Sequence, residues 1–143
     1  MIQEDKELLL KDLCARLPYG VKVEYNKCAC EVRSIDRLHE ELTIWKRHGY
    51  YHDVKIEDCK PYLFPMSSMT DEQKQEFLSV AGYERREDDC GRHTETYYYD
   101  MVGHEHNFYP NIDAIEWLNK KHFDYRGLIE KGLAIDATGL NIY

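Results

Sequence analysis

Long apolar runs are missing from this chain. Leu8-Leu9-Leu10 is its longest aliphatic stretch, far below the ~18 residues that a membrane-spanning helix needs. The N-terminus lacks the basic-then-apolar pattern of a signal peptide. The five cysteines are an odd number without framework spacing, which argues against a disulfide scaffold. Together these absences predict free thiols and a reducing, cytoplasmic setting. The phosphate-cradling patterns G-x-x-x-x-G-K-[ST] and G-x-G-x-x-G are also missing, so no nucleotide loop is expected. There is no G-x-S-x-G elbow, and no cysteine stands at an evident helix start, so no activated nucleophile is marked. Clustered basic residues are lacking too. The net charge is −8, from 19 Lys and Arg against 27 Asp and Glu. That balance excludes direct wrapping of a nucleic-acid backbone. No cofactor is implied, and there is no internal repeat or low-complexity linker.

What is present suits one globular domain spanning 1–143. The composition, 43% hydrophobic and 13% aromatic, is that of a chain able to build a core. Leu9, Leu10, Leu13, Cys14 and Leu17 recur at three- and four-residue steps, predicting a helix over 4–17 that Pro18 and Gly20 stop. The period then changes to two. Val21, Val23 and Tyr25, then Cys28, Cys30 and Val32, then Leu42 and Ile44, then Val54 and Ile56 each alternate with polar residues, the signature of half-buried strands. Asn26-Lys27 and His48-Gly49 suit tight connections. Two prolines make 60–69 read as irregular. Thr70 with Gln73 forms a capping box ahead of a helix carrying Phe77, Leu78 and Ala81. A third helix is expected after Pro110, with Ile115, Leu118 and His122 on one face. A short fourth is expected from Asp124 to Gly132, and the tail from Asp136 reads as loosely held. The predicted fold is therefore α+β: an N-terminal helix, a small, antiparallel, barrel-like four-strand sheet, and a mainly helical second half. Val23, Val32, Ile44, Val54, Ile56, Phe77, Ile115 and Leu118 are the predicted core.

Chemical signals are weak, and each competes with a structural reading. Cys90-x-x-His93 and His104-x-His106 have ligand-like spacing, and Cys28-x-Cys30 would place two sulfurs on one strand face. No clean pair of metal-binding units is formed, and Cys28 and Cys30 sit where small core residues belong. No metal is therefore expected. The tyrosines stand out more. There are twelve, among them Tyr50 and Tyr51 and the run Tyr97, Tyr98 and Tyr99. If that stretch is a strand, neighbouring rings point to opposite faces, so at least one face exposes an aromatic. The second half is also acidic, with 15 Asp and Glu against 8 Lys and Arg over residues 70–143. Trp45 and Trp117 read as core or half-buried packing, but Trp45 falls on the polar side of its strand, which leaves a surface or interface role open to it.

Two stretches, CKPYLFPMSSMTDEQKQEF over 59–77 and IEWLNKKHFDYRGLIEKGLAI over 115–135, resemble segments of small uncharacterised proteins of gut anaerobic bacteria and their prophages and mobile elements. The resemblance implies an accessory protein of a mobile element and no particular activity. The functional expectation is thus a non-enzymatic binding or adaptor protein. Its partner, a protein whose basic side chains the acidity would favour, would meet an acidic, tyrosine-rich surface in residues 70–143, with Tyr97, Tyr98, Tyr99, Asp88 and Asp89 at its centre. The rival expectation is a small enzyme or ligand-sequestering protein with a Tyr/His-lined pocket. A minor variant is a DNA-mimicking inhibitor whose carboxylates imitate phosphates.

Overall fold

A computed structural model describes residues 1–81 and 112–143. Helix α1 spans Gln3–Arg16, with Glu4 and Asp5 in the first turn and Arg16 in the last, both favourable to the helix dipole. Leu9 and Leu13 are fully buried, and Leu10 packs beside them. Cys14, predicted on this stripe, is exposed. The helix buries Asp12 and Arg16 instead. A 3-10 turn over Leu17–Tyr19 ends the segment, and Gly20 takes φ +70°.

Strands β1 (Lys22–Tyr25), β2 (Cys28–Asp36), β3 (Glu41–Lys46) and β4 (Tyr50–Lys55) form an antiparallel meander. The β1–β2 turn holds Asn26 and Lys27 at φ 50° and 61°, the two left-handed residues that a type I′ hairpin requires. β2 contains a bulge between Val32 and Ser34. The extra residue changes the side-chain phase, so that Val32 opposes Ile44 and Ile35 opposes Leu42 on the inner face. The inner face packs on α1 through Val21, Val23, Cys30, Val32, Leu42, Ile44, Val54, Ile56 and Cys59.

The predicted architecture is corrected beyond this point. Among the described residues the sheet has seven strands, is mixed, and is open rather than barrel-like. Its order is β4-β3-β2-β1-β5-β6, and β7 also joins β5. β5 (Lys60–Pro65) occupies the stretch read as irregular. It pairs antiparallel with β1 through Val23↔Pro61, and parallel with two short strands, β6 (Phe123–Asp124) and β7 (Ile135–Asp136). Pro61 and Pro65 stand near its two ends, where a missing N–H disturbs a ladder least.

The second half is not mainly helical either. Its described residues form α2 (Asp71–Val80), α3 (Ile112–Lys120), β6 and β7. The fourth helix predicted from Asp124 is a turn instead. The Asp124 carboxylate accepts from the N–H groups of Leu128 (2.9 Å) and Ile129 (2.8 Å), stabilising local turns in place of a helical ladder. The tail is tied down: Ala137 is buried and donates to the Leu63 carbonyl at 2.8 Å. Tyr143 donates to the Tyr62 carbonyl at 2.9 Å.

Seven of the eight predicted core residues are buried, and Ile115 is half-buried. The Thr70 capping box is present in both directions: Gln73 N–H donates to Thr70 Oγ1 (3.1 Å) and Thr70 N–H donates to Gln73 Oε1 (2.9 Å). α2 and α3 close a second core of Phe77, Trp117, Leu118 and Phe123, in which Trp117 stacks on Phe123 at 5.7 Å.

Candidate functional site

Two kinds of place could carry chemistry here: a polar cluster inside the molecule and the open face of the sheet. The interior cluster begins at Asp12. Arg16, four residues on, grips it with two bonds of 2.8 and 3.0 Å, and Arg126 adds a third at 2.8 Å. The remaining Arg16 donors reach the carbonyls of Phe123 (2.7 Å) and Leu118 (3.4 Å). Tyr125 lies against both guanidinium groups, and its hydroxyl donates to Asn119 at 3.0 Å. Asp12 and Arg16 are wholly buried. The bonds of Arg16 to Leu118 and Phe123 and of Arg126 to Asp12 tie α1 to the α3–β6 corner, so the cluster positions elements.

Beside it, His122 stacks on Tyr143 at 3.8 Å. Burial, with help from the Arg16 charge, pushes the imidazole down to about 4, so it is held neutral. Burial pushes the Cys59 thiol up to about 12 and raises Cys30 as well. Such thiols are poor nucleophiles, since the thiolate is the reactive form.

The outer face of the meander differs. Glu31, Trp45 and Tyr51 lie directly across from one another on β2, β3 and β4. Trp45 is half-buried and Tyr51 is 65% exposed. The Arg33 guanidinium sits 5.2 Å from the Trp45 ring centre and 3.4 Å from the Glu31 carboxylate. Thr43 donates to Asp53 at 2.7 Å in the next row. A recess of about 290 Å³ runs beside Trp45, with Lys22, Glu31, Arg47 and Ile142 in its walls. This is an aromatic centre ringed by charges of both signs, an arrangement suited to contact with another molecule. A larger groove of about 440 Å³ lies between α1 and the β2–β3 loop. Its lysine, Lys6, is already held by Glu40 (3.2 Å) and Glu57 (2.8 Å), so that groove offers less unmatched chemistry.

Tyr97, Tyr98, Tyr99, Asp88 and Asp89 lie outside the described residues, as do the metal candidates Cys90, His93, His104 and His106. Among the described residues no group of three or more metal-ligating side chains converges, and no helix is long and apolar enough to cross a membrane. The predicted suspicion of Trp45 matches its half-exposed place on the outer face. Tyr51 is among the tyrosines that the sequence sets apart, whereas Arg33 was missed, although its parity with Glu31 on the strand was available. No family model, curated protein or solved structure matches the chain.

Proposed function

We propose that this chain is a non-enzymatic binding or adaptor protein of the cytoplasm. Its partner meets the open outer face of the sheet at Trp45, together with the acidic, tyrosine-rich residues of the second half. The observation that carries this reading is Trp45, half-buried on a face where the described residues leave Tyr51 65% exposed, stacked by Arg33 and flanked by Tyr51. A large ring at such a place costs solvation unless something covers it, and tryptophan, tyrosine and arginine are the residues that anchor interfaces. The acidity of residues 70–143 supports a basic partner by steering its approach. The test uses the tagged full-length protein as bait in lysate of its own host, with mass spectrometry of what is retained. Trp45→Ala should lose the principal partner while its melting temperature falls by no more than roughly 2–4 °C, and charge reversal at Asp88 and Asp89 should slow its capture. Equal capture by both variants would overturn the reading.

A further inference from the structure

Resting on that binding reading, we infer that the free edge of β4 accepts an extended segment of another chain as an added antiparallel strand, with a lysine or arginine of that segment opposite Asp53. β4 ends the strand order, and its ladder with β3 runs through six consecutive pairs without a shift. The Ile56 N–H donates to the Glu40 carbonyl at 2.9 Å, which sets the phase of that ladder. Residues 50, 52, 54 and 56 turn their backbone groups toward β3. Tyr51, Asp53 and Lys55 turn theirs outward. Among the described residues nothing hydrogen-bonds to those three outward N–H and C=O pairs. Natural edges are usually blunted by proline, a bulge, charged side chains or a covering element. β4 has no proline and no bulge, its Lys55 is drawn back to Glu41 at 2.8 Å, and Tyr50 and Tyr51 are 69% and 65% exposed. An evenly spaced row of free donors and acceptors matches one kind of occupant, an extended polypeptide.

The side chains select which one. A second copy in fully overlapped two-fold register would set Asp53 against its own equivalent, a like-charge pair that disfavours self-pairing. Lys55 is already taken by Glu41 at 2.8 Å. Asp53 accepts only the Thr43 hydroxyl and has no cationic partner among the described residues. A lysine or arginine across from it supplies the missing charge. An aromatic residue two positions further along the incoming strand would lie opposite Tyr51, extending the Glu31–Trp45–Tyr51 row.

The experiment titrates the isotope-labelled full chain with the blocked hexapeptide Thr-Val-Lys-Val-Tyr-Thr and follows amide exchange by NMR. Exchange at Tyr51, Asp53 and Lys55 should slow by about tenfold or more at saturation. The peptide N-methylated on its β4-facing amides should not bind. Asp53→Lys should weaken binding about tenfold, and Thr-Val-Glu-Val-Tyr-Thr should restore it on that variant. Free exchange at the three amides, or binding indifferent to Asp53→Lys, overturns the inference. So does concentration-dependent dimerisation that protects the same amides without peptide. If the peptide perturbs Trp45 and Arg33 but leaves the three amides free, the edge inference falls while the binding reading stands. If edge binding holds but Trp45→Ala changes no capture, the Trp45 reading falls alone.

Discussion

Two buried residues depend on their partners in different ways. Asp12 accepts hydrogen bonds from both Arg16 and Arg126. Replacing it by asparagine keeps the volume but leaves two guanidinium groups without their carboxylate. Asp12→Asn should cost about 3–5 kcal/mol, the usual penalty for breaking a buried pair from one side, as read by urea unfolding. His122 must stay neutral, with its folded value near 4 against about 6.5 unfolded. A depressed histidine binds its proton more readily in the unfolded chain. Its contribution is therefore complete above about pH 6.5 and is lost as pH falls toward 4, by at most roughly 3 kcal/mol. The exposed Asp36–His39 pair raises the His39 value and lowers that of Asp36 through their mutual hydrogen bond, and exposure keeps its effect small. His122→Asn isolates the buried term. Asparagine tolerates the φ of +62° found there, so the variant should be less stable at neutral pH, through lost stacking on Tyr143, yet flat between pH 6.5 and 4. A variant that retains the acid limb would assign it elsewhere.

At the scale of elements, helix α2 offers the cleanest measurement. Its Thr70 cap satisfies one orphan donor and its Gln73 side chain another. Thr70→Ala should cost about 1 kcal/mol, and a change near zero in urea unfolding would mean that the cap contributes nothing in solution. α2 was legible because its start is written locally, in four consecutive residues. The first four strands were legible for a similar reason, since an alternating run with one buried face declares its period. β5 was not. Tyr62, Leu63 and Phe64 form a continuous apolar run bounded by Pro61 and Pro65, which removes both alternation and regular ladder donors. β6 and β7 span two residues each, too short to show any period. Asp124 misled in a specific way. It resembles a helix cap, and it does accept from following N–H groups, but from Leu128 and Ile129, four and five residues on, across a turn. The barrel-like expectation failed because strand order is a property of long-range pairing, which no local pattern carries.

Across the whole molecule, the two faces of the sheet divide the labour. The inner face spends its apolar residues on a core with α1, and the outer face keeps Trp45, Tyr51, Arg33 and Glu31 for solvent or a partner. The parity of Trp45 could be read from its polar neighbours, but the free β4 edge beside it required the strand order. The competing account gives Trp45 a packing role, with Arg33 as its lid. The two accounts differ in what truncation does. If the ring is a contact residue, Trp45→Ala removes little that the folded chain needs, and the loss should stay below about 1 kcal/mol, or roughly 2–4 °C in Tm at this chain length. Phe77→Ala, which empties a fully buried site between α2 and α3, should cost about 3–5 kcal/mol and provides the scale for comparison. Thermal melts of both variants beside the parent protein decide the matter. A Trp45→Ala loss approaching that of Phe77→Ala would make the ring part of the core's support and remove the main ground for placing a partner on that face. A small loss, with Arg33→Ala equally mild, would leave a large aromatic surface whose retention folding alone does not account for.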